Sequence, residues 1–564
     1  MTISTESYAY EYASMILRRN RVPMPPADFA PNWADKPRPT KHYPGALSFP
    51  LPDAPPLPSA TVGAGIAAAP ADEPFSLPVL GAMLRDSYGL IGRRLAIQAN
   101  TDVHGYPWYA RANWHRGTAS GGGLYPCSIY WVAGPGAELC PGVYHYACQP
   151  HTMQRLLAGD VTGRVRAALG LPTDATQFLV IGVKYWANAF KYNSFAYHAV
   201  SMDVGTLLQT WRLWAGGQRR RIEPRFWFDQ AALGRLLGLP PDEEGLFAVV
   251  PLTWTASPPA DPSARRHVTT AEDTALAEGT ATAGTAAADG TGRAEGDVAA
   301  VGEVAVRRRD RERSRVVLTF EATQRIHRAT AQVAAHRPAA GALASAAATP
   351  TPDGGDRVDL PPPSPLETPV RTALSRRRSS FGRFDGSVPM PQADLAALLT
   401  AAHAARLPTE ITEAADGGLA KFYVFVNHVR GMTPGSYEYD PARHQLRVVR
   451  STPPGLFLQR NYFLPNYNLE QAAVVVVPTV RVPAVLDAVG PRGYNVVNAT
   501  IGAVAQTFYT AAAALDLGCG VALGFDGVSY VEELELAATG ETPLLIMLAG
   551  HERVLPTDYR HELR

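Results

Sequence analysis

Three short segments of this sequence hold residue types that could do chemistry. The run HRGTASGGGLYP (115–126) places Ser120 before three glycines, of which Gly121 and Gly122 let the backbone approach a flat or phosphorylated ligand closely. The run RRRSSFGRF (376–384) sets arginines beside serines, a combination that suits bidentate contacts to a phosphate. The run FKYNSFAYH (190–198) pairs Lys191 with Tyr192 as a candidate acid and base, because an adjacent ammonium lowers the pKa of a phenol.

Each segment also has an ordinary explanation. The first could be a glycine-rich turn without a ligand, the second a solvated basic turn, and the third a surface lysine beside a packing tyrosine. The glycine run is not a dinucleotide fingerprint, because no strand directly precedes it, and it lacks the GK[ST] of a Walker loop. Taken singly, the segments leave both kinds of explanation open.

An internal repeat shows which elements must position these segments. PGVYHY (141–146) is echoed by PGSYEY (434–439). Five residues recur 297 positions later: Tyr197, Gly205, Gln209, Phe228 and Asp229 return as Tyr494, Gly502, Gln506, Phe525 and Asp526. The pattern indicates a duplicated mixed domain of about 180 residues. A fused pair usually re-creates a two-fold dimer within one chain, and its inter-copy cleft is a natural ligand site.

The predicted fold class is therefore α+β, with two fused domains forming an intramolecular pseudo-dimer. Residues 1–75 are expected to form a short helix and then a proline-rich surface arm, since repeated prolines exclude helix and central strand. The domains are placed at 76–255 and 366–564. Between them, 256–365 is predicted to be a low-complexity linker with a helix near 313–335. Its role is open, although insertions of this composition are usually passive tethers.

The bulk composition excludes several function classes. A formal net charge of +1 over 564 residues argues against nucleic acid or an anionic membrane as the main partner. Four cysteines without a CxxC pair predict neither a zinc site nor a disulfide framework. The longest apolar stretch is shorter than the about 20 residues that span a bilayer, and the N-terminus lacks a signal-peptide pattern. The sequence predicts a cytoplasmic protein without a metal.

Taken together, the segments resemble the SagB-type azoline dehydrogenases, which are FMN-dependent members of the nitroreductase superfamily that tailor ribosomal peptides. The likeness covers nearly all of the first domain, where KHYP (41–44), LRDSYGL, RGTASGGGLYP, PGVYHY, FKYNSFAYH, MDVGTLLQ, FDQAALGRLLGL and EE (243–244) follow the family's order. Ala119 departs from the proline that is usual in the family's loop. The second domain is similar more loosely, through RRRSSFGRF, which is one residue longer than the superfamily's Arg-Arg-Ser motif. Ser379 and Ser380 therefore stay alternatives.

The resemblance implies one composite FMN site, because the two copies are degenerate in complementary ways. The first copy lacks an Arg-Arg-Ser segment before its opening helix. The second has EAADGGLAKF, with Ala415 or Asp416 where the first has Ser120, and Ala488 and Val489 in place of the Lys–Tyr pair. The opposite cleft is expected to be empty.

The same resemblance implies roles for named residues. FMN would be bound by Arg116, Ser120, Gly121 and Gly122 of the first domain and by Arg377, Arg378, Ser379, Gly524 and Arg560 of the second, with Arg564 a further basic candidate. The implied reaction is two-electron oxidation of a peptide thiazoline or oxazoline to the thiazole or oxazole. Tyr192, helped by Lys191, would remove the ring proton while hydride passes to FMN, and oxygen would reoxidise the flavin. Implied partners are the azoline-containing precursor peptide and cyclodehydratase or leader-binding proteins.

Two other functions compete with this prediction. An NAD(P)H-dependent flavin reductase of nitro compounds or quinones would share the fold, since fold does not fix the substrate. The Lys–Tyr pair and the KHYP arm argue against it. A flavin-free scaffold of a peptide-modifying complex would explain the lost motifs of the second copy. It would not explain why the motifs that remain are complementary.

Overall fold

A computed structural model describes residues 5–54, 57–58, 60–68, 72–95, 100, 102, 112–255, 304–413, 417–554 and 559–563. Most of the predicted linker (256–303), together with Ala415, Asp416 and Arg564, lies outside the described residues. The described helices are α1 (Thr5–Arg18), α2 (Val62–Ala67), α3 (Leu77–Ser87), α4 (Thr162–Leu169), α5 (Trp186–Tyr192), α6 (Ala196–Gly217), α7 (Gln230–Leu236), α8 (Glu321–Gln332), α9 (Val370–Arg376), α10 (Gln392–Ala404), α11 (Gly455–Arg460), α12 (Val482–Val489), α13 (Gly493–Ala514) and α14 (Gly527–Glu533).

The described strands are numbered along the chain, through both halves. They are β1 (Ser48–Pro50), β2 (Gly92–Leu95), β3 (Ala112–His115), β4 (Cys127–Ala133), β5 (Gly142–Ala147), β6 (Thr152–Ala158), β7 (Gln177–Lys184), β8 (Glu244–Leu252), β9 (Arg357–Asp359), β10 (Lys421–Val426), β11 (Gly435–Asp440), β12 (Gln445–Arg450), β13 (Val474–Val480), β14 (Gly518–Ala522), β15 (Thr542–Pro543), β16 (Ile546–Gly550) and β17 (Arg560–Glu562).

Two antiparallel sheets repeat one topology. The first runs β1-β6-β5-β4-β7-β8 and the second β14-β16-β13-β10-β11-β12-β9, with β15 beside β13. The order β6-β5-β4-β7-β8 thus recurs as β12-β11-β10-β13-β16. Small details recur as well, since Tyr144 and Tyr437 each donate to the backbone carbonyl four residues earlier, at 2.6 and 2.5 Å. The α+β prediction is confirmed.

The long helices α6 and α13 cross at the centre of the molecule and join the two halves. A Cβ added at Gly205 would overlap the carbonyl of Ala499, and one added at Gly502 would overlap the carbonyl of Met202. The repeated glycine therefore exists in both copies because the helix backbones touch there. Tyr197 stacks on its repeat partner Tyr494 at 6.5 Å between ring centroids. The two copies form an intramolecular pseudo-dimer.

The N-terminal region contains the predicted helix, α1, and a largely exposed segment follows it, but this segment is not only a surface arm, because several of its side chains are buried. Tyr12 of α1 is fully buried and packs edge-on against both Tyr197 and Tyr494 at the copy interface. Lys41 of the KHYP segment is also buried, where its ammonium pairs with Glu244 and donates to the Tyr130 hydroxyl at 2.7 Å. The prolines keep this segment extended, but its side chains enter the first domain.

The described part of the linker is not a passive tether either. Asp310 and Glu312 both pair with Lys184 at 2.8 Å. The helix that was predicted near 313–335 is the shorter α8, which buries Ile326 against the molecule. Polar composition hid these contacts, because the segment packs through a few apolar residues and ion pairs.

Three further findings concern the described residues. None of their helices is long and apolar enough to cross a membrane. No cluster of three His, Cys, Asp or Glu residues within them could hold a metal ion. The four cysteines are all free thiols, and Cys140 alone of these four is exposed.

Candidate active site

The glycine-rich loop of the first domain is held by side chains of the second. Arg377 donates from Nε to the carbonyl of Gly117 and from Nη2 to that of Arg116, both at 2.9 Å. Gln506 of α13 accepts from the backbone N–H of Ala119 at 2.8 Å and donates to Gly117 at 3.1 Å. The loop and the Arg-Arg-Ser segment, which lie far apart in sequence, thus meet at the copy interface.

Within the loop, Ser120 is fixed by a carboxylate that the sequence analysis missed. Its hydroxyl donates to Asp203 at 2.8 Å and accepts from the backbone N–H of Tyr125 at 2.8 Å. The backbone N–H of Gly121 also donates to Asp203 at 2.8 Å. Asp203 therefore shapes the loop. The signal for it was an acidic residue inside the otherwise apolar helical stretch MDVGTLLQ.

The Lys–Tyr pair lies directly on this loop. Gly122 adopts φ +61°, and a Cβ there would lie 2.6 Å from Nζ of Lys191 and would overlap the hydroxyl of Tyr192. Nζ of Lys191 is 4.8 Å from the centroid of the Tyr192 ring. Glycine at 122 is thus required by the close approach as well as by the backbone angle.

The electrostatics of the pair differ from the sequence prediction. Burial raises the pKa of Tyr192, and nearby Asp203 raises it further. Burial lowers the pKa of Lys191. The prediction that the ammonium makes Tyr192 an anionic base was wrong, because desolvation outweighs the attraction of one partly buried charge. Burial thus favours the protonated hydroxyl of Tyr192 and disfavours the charged ammonium of Lys191.

Asp203 has an unusual protonation state of its own. Burial raises its pKa to about 7, although the hydrogen bonds from Gly121 and Ser120 pull it in the other direction. A carboxyl that titrates near neutrality beside a cleft is a functional-site candidate on physical grounds.

The two serines of the RRRSS run can be told apart. Ser380 is fully buried, where its hydroxyl accepts from the backbone N–H of Cys519 at 2.8 Å. Ser379 is partly buried and shares a 2.9 Å hydrogen bond with the hydroxyl of Tyr509 on α13. Ser379 is therefore the serine that remains available to a ligand.

The turn at Gly524 closes the cleft on the second-domain side. A Cβ at Gly524 would lie 3.5 Å from Leu464 and 3.7 Å from Tyr462. Burial raises the pKa of Tyr462, and both Tyr509 and Tyr192 are close enough to raise it further. Tyr462 is thus near the Gly524 turn of the second domain and near Tyr192 of the first.

Several guanidinium groups converge at one end of this space. Strand β17 pairs with β2, which sets Arg560 opposite Arg94. Arg94 donates to the carbonyl of Arg377 at 2.9 Å. Burial lowers the pKa of Arg94 to about 9, and Arg377, Arg378 and Arg560 contribute to the lowering. Arg94 was missed because it stands in the first domain, far in sequence from the RRRSS run.

This cationic cluster has the features of an anion site. His115 is buried beside it, and neither ring nitrogen makes a well-formed hydrogen bond to a described residue, although the Gly92 backbone adjoins the ring. Burial, followed by the charge of Arg94, lowers the pKa of His115 to about 3. Arg378 is balanced in part by Glu552 at 2.5 Å. Crowded cations beside an unpaired buried imidazole fit a phosphate.

One predicted flavin ligand, Arg116, lies between two aromatic rings. The guanidinium of Arg116 is buried between the rings of Tyr88 and Tyr125, at 4.5 and 4.3 Å from their centroids. Its side chain therefore packs against Tyr125, which lies near the end of the glycine-rich run, and its direct contact with a flavin stays a prediction. The charge is stabilised by the two aromatic faces.

Of the nine non-glycine residues with a left-handed backbone among the described residues, three lie at the segments of this site. Tyr125, Asn193 and Phe381 have φ of 51, 42 and 50°. Tyr125 lies near the end of the glycine-rich run, Asn193 follows the Lys–Tyr pair, and Phe381 follows the two serines. Such conformations cost about 1–3 kcal/mol each and persist where the surroundings impose them, often at functional sites.

The comparison with known families decides what this arrangement represents. Residues 374–551 match the family model described as the Nitroreductase family. The chain contains a nitroreductase-family domain. This nitroreductase-family domain begins just before the RRRSS run and ends after β16, so it includes the RRRSS run and the Gly524 turn but not Arg560 of β17.

Individual relatives agree with the nitroreductase fold. The putative nitroreductase MJ1384 of Methanocaldococcus jannaschii is 28% identical over 207 residues, which are 35% of this chain and 98% of that protein. The crystal structure of a putative nitroreductase from Anabaena variabilis covers 97% of this chain and 99% of its own, with a TM-score of 0.67 and 20% identity. A chain of the E. coli microcin synthetase McbBCD complex, solved with truncated pro-MccB17, has a TM-score of 0.27 and 15% identity over 32% of this chain and 70% of its own. The Anabaena structure shows that the chain shares the fold of a putative nitroreductase across both halves.

Proposed function

We propose that this chain is an FMN-dependent dehydrogenase that binds a single flavin between its two copies and oxidises azoline rings in a peptide. The observation that supports it most strongly is the meeting of complementary halves. The glycine-rich loop and Lys–Tyr pair come from the first domain. The RRRSS run and the Gly524 turn come from the second, and pairwise contacts link them. Arg377 contacts the loop, the loop contacts the Lys–Tyr pair, and Tyr462 is near both Gly524 and Tyr192.

The residues present fit FMN. Arg94, Arg378, Arg560 and Ser379 would hold its phosphate, with His115 as a neutral neighbour. Backbone groups of Gly121 and Gly122 would allow the ring system close to the loop. Bound FMN would supply the chemistry of two-electron oxidation, by accepting hydride from the substrate.

The chain itself contributes the handling of the ring proton. Lys191, whose pKa is lowered by burial, would accept the proton, and Tyr192 would donate a hydrogen bond from its protonated hydroxyl. The sequence prediction had Tyr192 remove the proton with help from Lys191, so the proposal exchanges the roles of the two residues. General base catalysis of this kind contributes about 10²–10⁴-fold.

The surroundings of the pair suit a peptide. Trp33 is half-exposed and lies 5.9 Å from Nζ of Lys191, and Leu464 is half-exposed beside the Gly524 turn. These two exposed apolar side chains, near the polar Lys–Tyr pair, can contact the peptide residues that flank a heterocycle. Partners of the precursor peptide, such as a cyclodehydratase or a leader-binding protein, would act outside this site.

The test is an assay of the purified protein with a thiazoline-containing peptide under air. The expected product has lost two hydrogens by mass spectrometry, with hydrogen peroxide formed in equal amount. Lys191→Ala should abolish turnover while Arg328→Ala, at an exposed ion pair, should not. Rapid bleaching of the flavin by NADPH without peptide oxidation would support a reductase instead, and a protein that takes up no flavin would support a scaffold.

A further inference from the structure

The second inter-copy cleft keeps a cavity of 260 Å³. It corresponds to the composite site through the internal repeat. Thr500, which lines it, stands 297 positions after Asp203, and Arg212 stands 297 positions before Tyr509. Gly417 and Gly418 form part of its rim, in place of the first domain's glycine-rich loop. We call this space the second cleft.

The chain itself closes one side of the second cleft. The backbone N–H groups of Gly341 and Ala348 donate to the carbonyls of Ile411 and Gly418, both at 2.8 Å. Leu343, between them, is buried and lines the cavity. The linker segment 341–348 therefore lies over the cleft and takes part of the volume that a flavin would need. This gives the linker a structural role beyond that of a tether.

What remains is a small chamber with an apolar floor. Phe422, Val496 and Val504 form the floor and are all buried. Pockets for larger organic ligands usually measure about 300–1,000 Å³, so this chamber suits a smaller molecule than FMN. An apolar body of one ring or one branched chain matches it.

A guanidinium stands at the wall of this chamber. Arg212 uses Nη1 to donate to Gln209 at 2.9 Å and to the carbonyl of Arg406. Its Nε and Nη2 have no hydrogen-bond partner among the described residues. Burial lowers its pKa to about 10, which leaves it charged at neutral pH. At the rim, Arg406 and Glu413 carry one charge of each sign, and Glu223 is the acidic group whose charge acts on Arg212.

We infer that the second cleft binds a small carboxylate with an apolar body, whose anionic end pairs with Arg212. The floor supplies apolar contact and the guanidinium supplies a bidentate partner for the carboxylate. The inference does not depend on azoline chemistry, because it rests on a different cleft and on residues outside the composite site.

The test uses the flavin-loaded protein as purified, titrated calorimetrically with benzoate and with benzamide as the uncharged analogue. Benzoate should bind once per chain, and Arg212→Gln should weaken it at least tenfold. Benzamide should bind more weakly and be insensitive to that change. Arg328→Gln, at an exposed ion pair elsewhere, is the matched control and should leave benzoate binding unaltered.

Two more readouts separate the second cleft from the composite site. Val504→Phe should fill the chamber and abolish benzoate binding, and Leu343→Trp should do the same from the linker side if Val504→Phe fails to fold. The visible spectrum of the flavin should stay unchanged during the titration. The inference would be overturned if benzoate showed no saturable binding up to about 10 mM. It would also be overturned if Arg212→Gln left benzoate binding unchanged, or if the flavin spectrum shifted in parallel with the heat of benzoate binding. The flavin content, counted separately, reports on the proposed function alone.

Discussion

At the residue scale, the pKa order of Lys191 and Tyr192 makes the reaction depend on pH in a defined direction. The unprotonated amine is the active form, so kcat/KM should rise with pH through the Lys191 pKa and then level off. Because burial lowers that pKa, the rise should lie below the usual value of about 10.4 for lysine. Tyr192→Phe should retain the rise at a lower rate. A rise of the same shape in Lys191→Gln would assign the titration to another group.

Asp203 should affect how the free energy of unfolding depends on pH. The folded protein holds its proton up to about pH 7, whereas an unfolded aspartate releases it near pH 3.9. The folded state thus binds more protons between these values, and the free energy of unfolding should fall as pH rises through this window. Asp203→Asn keeps the shape and should remove this part of the fall, as measured by urea unfolding at several pH values. An unchanged pH dependence in the variant would show that Asp203 is ionised in the folded protein.

The sequence could predict the residues whose chemistry depends on their type, and it failed where chemistry depends on neighbours. Gly122 and Ser379 could be singled out from residue type alone, and their predicted contacts with FMN stay predictions, as do those of Gly524 and Arg560. The protonation of Tyr192 could not be predicted, since burial and the nearby Asp203 are properties of the fold. The positions of the Arg94, Arg116 and His115 side chains could not be predicted either, because they depend on strand pairing and aromatic packing.

At the element scale, the crossing of α6 and α13 should be the least tolerant point of the molecule. Gly205→Ala places a Cβ into the carbonyl of Ala499, where backbone and not a flexible side chain must move. Overpacking of this kind costs about 1–3 kcal/mol in unfolding free energy. Gly234→Ala in α7 meets open space and should stabilise the protein by about 0.5–1 kcal/mol. Equal effects of the two changes in chemical denaturation would mean that the helices can move apart freely.

The KHYP segment should contribute to stability through its lysine. Lys41→Met leaves Glu244 buried without its partner, and breaking such a buried pair costs about 3–5 kcal/mol. Arg328→Met removes an exposed pair with Asp242 and should cost only about 0–1 kcal/mol. The measurement is the denaturant midpoint of each variant. Similar midpoints would mean that Lys41 lies at the surface, as first predicted, and that its pair with Glu244 adds little stability.

Elements with a repeat partner were predictable together with their packing, whereas α1 and α8, which have none, were predicted as helices but not in the contacts they make. The long helices, the paired strands and the repeated glycine follow from residues that recur at a fixed offset. The N-terminal segment and the linker have no internal counterpart and little apolar periodicity. Their burial depends on a few residues, such as Tyr12, Lys41 and Leu343, that enter cavities formed by the rest of the chain.

At the scale of the whole molecule, duplication has produced two inter-copy clefts that are lined by different residues. One cleft combines the motifs that each copy retains, and the other is partly filled by the linker between the copies. The pseudo-dimer could be predicted from the repeat alone. The linker's place over the second cleft could not, because nothing in a low-complexity sequence indicates where it packs.

The central claim is that one site is built from both copies, and a count of FMN per chain tests it most directly. Wild-type protein should bind one FMN. Gly122→Val in the first domain and Arg378→Glu in the second should each reduce the count to near zero, because either change disrupts the same site. Two FMN per chain, or a count that either variant merely halves, would contradict the account by showing two independent sites.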